Sequence, residues 1–240
     1  MKRYILIACC LLSLQTMAQT VLNRSYPVKA GETVKLKFDY PKIVRVSTWD
    51  KNEVSVTAHV SINDGENNAA FLLEGQTENG TVIIKNTIKD LDKLPVRYTI
   101  HKDGKKTVFR SKEAFKEVAK QYGDGVISSQ GVDMEITLDI KVPANTSTDI
   151  HSVYGMVEMV NFHAPANVDA TYGGIDATVN ESQTGKLKAT TSYGQIYTNL
   201  DLKITEKTQK DFFTSFTAEP GKGPEYILKS TYGKIYLRKP

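Results

Sequence analysis

The sequence predicts an all-β protein: a short β-solenoid over its C-terminal half, with N-terminal β-structure and one inserted α-helix. Three observations carry this. A Tyr-Gly unit recurs at Tyr154-Gly155, Tyr172-Gly173, Tyr193-Gly194 and Tyr232-Gly233, at intervals of 18, 21 and 39 residues, the last close to two of the others. Both flanks of each unit alternate with period two, as strands with one buried face do. No 3.6-residue periodicity runs through these segments. About twenty residues per repeat, two short strands and a corner each, is the signature of a solenoid coil.

Aligned on the Tyr, the columns are regular. Four residues before it stand Ile150, Val168, Ala189 and Leu228; two before it stand Ser152, Ala170, Thr191 and Ser230. Three after it come Val157, Ile175, Ile196 and Ile235, then at five Met159, Ala177, Thr198 and Leu237. Even offsets face inward before the Gly and odd offsets after it. A glycine there can take positive φ or form a bulge, turning the chain between strands. The same parity places the Tyr rings inside the coil as a structural ladder, with the small residues making room for them. The alternative is an exposed ladder offering its rings to glycans.

The chain divides into a signal segment 1–18, an N-terminal β-strand region 19–110, a helical insertion and linker 111–131 and a repeat region 132–240. Lys2-Arg3, the apolar run Tyr4 to Leu14 and Thr16-Met17-Ala18 read as a cleavable export signal, too short to span a bilayer as a permanent helix. Leu6-Ile7-Ala8-Cys9 offers a lipoprotein reading of the same stretch. Both cysteines, Cys9 and Cys10, lie in that signal, so the exported chain would hold no disulfide, thiol nucleophile or Cys-metal site. Without Lys2 and Arg3 it carries 29 basic against 27 acidic residues, a near balance that disfavours nucleic acid as a partner.

Within 19–110, Val34-Leu36-Phe38, Val44-Val46-Thr48 and Val54-Val56-Ala58-Val60 form alternating strand faces, the last two separated by the turn Asp50-Lys51-Asn52. Asn79-Gly80 and Asp103-Gly104 predict tight hairpins. Ser111 can cap a helix over Lys112 to Tyr122 that Gly123 ends; its stripe Phe115, Val118, Ala119 and Tyr122 packs on the sheet. Asp124 to Gly131 then reads as a linker. Met134, Ile136, Leu138 and Ile140 resume the strand pattern until Val142-Pro143. Phe212-Phe213, twenty residues after Tyr193, reads as a degenerate coil; the alternative is a protruding hairpin exposing Phe212, Phe213 and Phe216. The N-terminal strands and Arg238-Lys239-Pro240 are the expected caps of the open sheet ends.

The unit [Ser/Thr]-x-[Ser/Tyr]-Gly-x-[Ile/Val], following Val142-Pro143, resembles the adhesin-like family of β-strand-repeat domains known as DUF4097. The matching residues are Ser152 to Val157, Ala170 to Ile175, Thr191 to Ile196 and Ser230 to Ile235, with Ala170 departing from Ser/Thr. The match is good over 132–240 and weaker over 40–90. The resemblance implies a right-handed parallel β-helix and an exported, cell-envelope setting, and no established activity.

Motifs of catalysis are scarce. His59, His101, His151 and His163 are dispersed, and no phosphate loop, Gly-x-Ser-x-Gly or His-Glu-x-x-His occurs. No catalytic, cofactor-binding or metal residue is expected, and no cofactor. One outward column offers a speculative surface site. Glu158 and Asp176 would lie one above the other, about 4.8 Å apart at the backbone if coils stack in register, with Tyr197 beside them. Such a pair could share a proton or Ca²⁺, or serve a retaining glycosidase, unless Lys186 or Lys188 neutralises it. The expected role is an exported, non-enzymatic protein of the periplasm or cell surface, adhesin-like or scaffolding, whose partner is an envelope protein or glycan. A glycan-binding module and a polysaccharide-active β-helix enzyme are the alternatives.

Overall fold

Three β-sheets and one helix organise the protein. A computed structural model describes residues 19–122 and 127–240; the expected signal segment 1–18 and the helix-ending Gly123 lie outside the described residues. The N-terminal region supplies β1 (Thr20–Pro27), β2 (Thr33–Phe38), β3 (Ile43–Trp49) and β4 (Glu53–Ile62). It continues with β5 (Phe71–Glu78), β6 (Thr81–Ile88), β7 (Arg97–Lys102) and β8 (Lys105–Phe109). Helix α1 (Lys112–Tyr122) follows, then β9 (Ile127–Gly131) and β10 (Met134–Pro143). The repeat units supply strand pairs β11 (Thr148–Ser152) and β12 (Met156–Met159), and β13 (Ala166–Ala170) and β14 (Ile175–Thr178). Next come β15 (Lys186–Thr191) and β16 (Ile196–Thr198), the hairpin β17 (Ile204–Lys210) and β18 (Phe213–Ala218), and finally β19 (Glu225–Ser230) and β20 (Ile235–Arg238).

The first sheet has the order β1-β4-β10-β3-β12-β14-β20-β16, and the second β17-β18-β15-β19-β13-β11-β2-β6-β5. From β10 to β16 in the first, and from β15 to β6 in the second, neighbours run parallel; the β1–β4 end of the first and both ends of the second are antiparallel. The expectation of an all-β fold with one helix holds. A right-handed parallel β-helix wound in chain order is not what these sheets show, because they are mixed and unclosed. The last repeat also breaks the order: β19–β20 lies between the β13–β14 and β15–β16 units, not after them. Arg238 therefore sits on an interior strand and caps nothing. The N-terminal strands do lie at sheet ends as expected, β1 and β4 in the first and β5 in the second; the hairpin β17–β18 closes the second, and β16 is the remaining edge of the first.

Burial explains the stacking. Ile84, Leu36, Ile150, Val168, Leu228 and Ala189 are register neighbours across the second sheet, and all are buried. Leu138, Val44, Val157, Ile175 and Ile235 form the corresponding buried row of the first sheet, and both rows join one hydrophobic core. Each Val, Leu or Ile in these rows contributes about 1.5–3 kcal/mol on leaving water. Strands from residues 19–110 and from 132–240 share both sheets.

Tyr226, at the start of β19, locks the inserted unit. Its ring meets Phe162 edge-on at 6.4 Å and its hydroxyl donates to the Phe162 carbonyl at 2.5 Å. Burial pushes its pKa up to about 12. A phenol whose folded pKa is raised stabilises the fold fully below its unfolded value near pH 10. That contribution is lost as pH rises toward 12. Tyr226→Phe is expected to lower stability by about 1–2 kcal/mol at neutral pH, by stranding the carbonyl. Urea unfolding at about pH 7 and about pH 11 should show the difference narrowing in alkali.

The third sheet, β8-β7-β9, is antiparallel and carries α1, whose Phe115 packs on Tyr98 (5.6 Å) and Phe109 (6.1 Å). The helix spans the expected residues, and Ser111 Oγ accepts a hydrogen bond from the Ala114 N–H at 3.2 Å. Ile127–Gly131 is a strand on β7, where a linker was expected, because its backbone amides find partners along that edge. Phe212 and Phe213 belong to the β17–β18 hairpin, not to a degenerate coil. Phe212 is exposed at its turn, whereas Phe216 points into the core.

Candidate binding surface: an exposed aromatic ladder

Each Tyr-Gly unit sits at the corner joining a strand of the second sheet to one of the first. Successive corners are hydrogen-bonded: the Tyr154 N–H donates to the Asp39 carbonyl, Tyr172 to Val153, Tyr232 to Thr171 and Tyr193 to Thr231. The glycines follow the same order. A Cβ built on Gly155 would lie 2.3 Å from the Pro41 carbonyl oxygen, on Gly173 1.9 Å from that of Gly155, on Gly233 2.0 Å from that of Gly173, and on Gly194 1.9 Å from that of Gly233. None of the four has φ in the left-handed region. The glycine is required for close approach to the neighbouring corner, not for the positive φ or bulge expected of it.

In every unit but that of Ala170, the small residue two before the Tyr has a polar task where steric room was expected. Ser230 Oγ accepts from the Gly233 N–H and donates to the Gly173 carbonyl of the next corner, both at 3.0 Å. Thr191 Oγ1 repeats this with the Gly194 N–H (3.1 Å) and the Gly233 carbonyl (3.2 Å). These hydroxyls satisfy buried turn groups that would otherwise cost about 1–3 kcal/mol each.

The four Tyr rings are on the surface. Tyr154, Tyr172, Tyr232 and Tyr193 are 59, 56, 49 and 61% exposed. This corrects the interior placement read from parity. Strand alternation ends at Ser152, Ala170, Ser230 and Thr191, so the inward position at the corner falls to the Gly and the Tyr turns out. The rings stack face to face, Tyr154 on Tyr172 at 5.3 Å, Tyr172 on Tyr232 at 5.1 Å and Tyr232 on Tyr193 at 5.1 Å. Interplanar angles of 7–11° keep them nearly parallel. Ring separation follows the strand spacing of about 4.8 Å, so interior rings cover each other's faces and present edges and hydroxyls to solvent.

Two further aromatics extend the ladder. Tyr40 stacks on Tyr154 at 6.1 Å and Phe212 tilts over Tyr193 at 5.7 Å. The unit around Tyr40 lacks the Tyr-Gly signature because Pro41 replaces the glycine and one extra residue follows. Phe38 pairs with Ser152 in step, but Val44, four after Tyr40, pairs with Val157, three after Tyr154. Phe212 has no sequence signature of its kind. It sits at φ +57, a left-handed conformation costly for a bulky aromatic, and it is 74% exposed. The strain is offset by seating its ring at the ladder's end. Tyr172→Ala, which removes two stacking contacts from mid-ladder, is expected to cost about 1–2 kcal/mol. Thermal unfolding checks this, and a small effect would mean the rings contribute contact surface alone.

The speculative site disperses. Glu158 and Asp176 are direct register partners, but each has its own guanidinium. Arg45 donates to Glu158 at 2.9 Å and to Asp139 at 2.7 Å; Arg238 donates to Asp176 at 2.7 and 3.0 Å. Arg45 and Arg238, not Lys186 or Lys188, balance the carboxylates, which then need neither a shared proton nor Ca²⁺. Lys186 pairs with Glu225 instead. Tyr197 is not beside Asp176: the inserted β20 puts Tyr236 between them, and Tyr197 stacks on Tyr236 at 5.3 Å. Among the described residues no three His, Cys, Asp or Glu side chains cluster as a metal site needs.

At the Tyr40 end the ladder enters a cleft of about 950 Å³ between the third sheet and the body, lined by Tyr40, Lys42, Thr99, His101, Lys106, Ser129, Asp133, Glu135 and Tyr154 among others. A charged latch holds its walls together. Lys106 Nζ reaches Asp133 at 2.5 Å and Glu135 at 2.8 Å, and Lys42 Nζ reaches Glu135 at 3.0 Å. Burial disfavours the charged Glu135, but the bonds from Lys106 and Lys42 outweigh it and hold the carboxyl below its usual value. A lowered carboxyl pKa gives stability that is present above the ordinary value near 4.5 and lost as pH falls through the folded one. Hydrogen exchange of residues 97–131 is expected to quicken below about pH 4, ahead of the two large sheets, and Glu135→Gln should remove the acid step.

These features define a class by architecture: a two-sheet β-protein of stacked, mainly parallel Tyr-Gly units with an exposed aromatic ladder along one corner. No protein-family model and no curated protein matches the chain. Among solved structures, a provisionally named cell adhesion protein from Clostridium sporogenes gives a TM-score of 0.49 at 10% identity, covering 93% of this chain and 100% of that one. A provisionally named adhesin from Bacteroides fragilis gives 0.22 at 13% identity, covering 92% and 98%. Likeness of this degree carries no argument about what this chain does. Among the described residues no helix is long and apolar enough to cross a membrane.

Proposed function

We propose that this is an exported, non-enzymatic protein of the cell envelope, adhesin-like or scaffolding, whose aromatic ladder is its contact surface. The single observation behind the reading is the continuous run of six aromatics in ring-to-ring contact, five of them about half exposed or more, ending on a strained and exposed Phe212. Monomeric proteins rarely leave so much aligned aromatic surface to water without a partner for it. The signal-like residues 1–18 support export to the periplasm or cell surface. The parallel stacking of Tyr-Gly units supports reading the core as a reordered short parallel β-helix of the DUF4097 kind. The arginine-paired Glu158 and Asp176 favour binding over chemistry.

A second reading, a glycan-binding module, is favoured by the cleft at the ladder's end. A glycan-array screen with product analysis separates the classes: cleavage supports an enzyme, saturable binding a module, and neither a scaffold. Where the ladder is the contact surface, Tyr172→Ala with Tyr232→Ala should abolish capture of the envelope partner while circular dichroism stays β-rich; binding confined to the cleft, which neither residue lines, should persist. Unchanged capture by this double variant removes the ladder as the contact surface.

A further inference from the structure

We infer that the cleft beside Tyr40 is a binding site for a segment of neutral oligosaccharide, distinct from the edge surface of the ladder. The inference rests on the reading that the protein binds its partner without transforming it. Four properties of the cleft select the ligand.

The first is charge. Besides the phenols of Tyr40 and Tyr154, the titratable groups facing the cleft are Lys42, Lys106, His101, Asp133 and Glu135. Both lysines are already engaged by the two carboxylates. An anionic ligand would have to displace these bonds, and a cation would meet no free carboxylate, so a charged ligand gains little there. The second is unspent hydrogen-bonding capacity. Among the described residues, the side chains of Tyr40, Thr99, His101 and Ser129 make no hydrogen bond within the protein, and all four line the cleft. Thr99 and Ser129 are direct cross-strand partners on β7 and β9, so their hydroxyls stand side by side on one wall. Thr99 is only 6% exposed, a position where a hydroxyl gains most from a ligand partner.

The third is the aromatic wall. Tyr40 is the terminal ring of the ladder, stacked by Tyr154 on one side only. Interior rings have both faces covered; Tyr40 keeps one, and an aromatic face is what the apolar C–H face of a pyranose packs against. The fourth is size. About 950 Å³ lies at the upper end of small-ligand sites, room for several sugar units. Balanced charge, free hydroxyls and a single open ring face together match a neutral polyhydroxylated ligand.

The test is an isothermal titration of the purified protein with neutral glucan and chito-oligosaccharides of graded length, alongside their sulfated or uronic counterparts. A neutral oligosaccharide should bind with preference over its anionic counterpart. Tyr40→Ala, and separately Thr99→Val with Ser129→Ala, should weaken it at least about tenfold. Tyr193→Ala, at the far end of the ladder, should leave it unchanged. Because Tyr40→Ala could loosen the neighbouring corner, the Thr99/Ser129 variant, which alters only hydroxyls, is read beside it. Absence of neutral-sugar binding, preference for the anionic forms, or full affinity in the Thr99/Ser129 variant overturns the inference. Loss of binding in Tyr193→Ala but not in Tyr40→Ala would place the sugar on the ladder, leaving the proposed function standing and this site overturned.

Discussion

Gly173→Ala is expected to destabilise the protein by about 3 kcal/mol or more, although the substitution adds one methyl group to a corner with no left-handed φ. The new Cβ would meet the Gly155 carbonyl oxygen at 1.9 Å and its carbon at 2.4 Å. Neither atom can swing away as a side chain could, because both are backbone of the adjacent corner. Relief requires the two corners to separate, which lengthens the Tyr172 N–H bond to the Val153 carbonyl, now 2.7 Å, and parts Tyr172 from Tyr154. Gly31→Ala is the informative contrast. Gly31 has φ +84 but nothing within 4 Å of a built Cβ, so the cost there is backbone strain alone, about 1 kcal/mol. Denaturant unfolding of both variants should rank Gly173→Ala well below Gly31→Ala. The reverse ranking would mean that the corners are not in contact.

The second large effect concerns the C-terminus. Ending the chain at Ala218 is expected to abolish cooperative unfolding altogether. The deletion removes β19 and β20, which are interior strands: β19 pairs with β13 and β15, and β20 with β14 and β16. It takes Leu228, Ile235 and Leu237 from the core and the Ser230 hydroxyl from the Gly173 carbonyl. A gap of about two strand spacings, roughly 10 Å, would open in both sheets. Supplying the missing segment as a separate peptide should restore near-ultraviolet dichroism. Had the repeats stacked in chain order, the same deletion would trim an end unit and leave a shorter cooperative fold.

That contrast shows what the repeats make legible. The alternating columns identify the strands and their buried faces, and Ile150, Val168, Ala189 and Leu228 do lie in one buried row. Their order in that row is 150, 168, 228, 189, and the repeats cannot encode it. Each unit offers the same apolar face and the same Gly corner, so every permutation satisfies the burial pattern equally. Order is decided by unique contacts such as Tyr226 with Phe162 and Lys186 with Glu225, which join residues far apart in sequence. Misplacing Tyr197 beside Asp176 follows directly from this blindness.

The Tyr rings illustrate a different limit. Period-two parity is a property of extended backbone, and each strand ends two residues before its Tyr, where the chain enters a bend. The ladder itself was visible as a column; its side of the sheet was not. Tyr40 was hidden by one inserted residue, and Phe212 by lying in a hairpin turn where its geometry, rather than any motif, brings it onto Tyr193. The cleft was beyond the sequence for a related reason. Its walls come from β7, β9 and the segment around Tyr40, which only the folded third sheet brings together.

The central claim is that a continuous aromatic surface exists because the last unit inserts beside Tyr172, and ring-to-ring contacts report it directly. In a nuclear Overhauser spectrum with residue-selective tyrosine labelling, the Tyr232 ring protons should show cross-peaks to both Tyr172 and Tyr193, with none between Tyr172 and Tyr193. Direct cross-peaks between Tyr172 and Tyr193, with Tyr232 seeing only one of them, would contradict it.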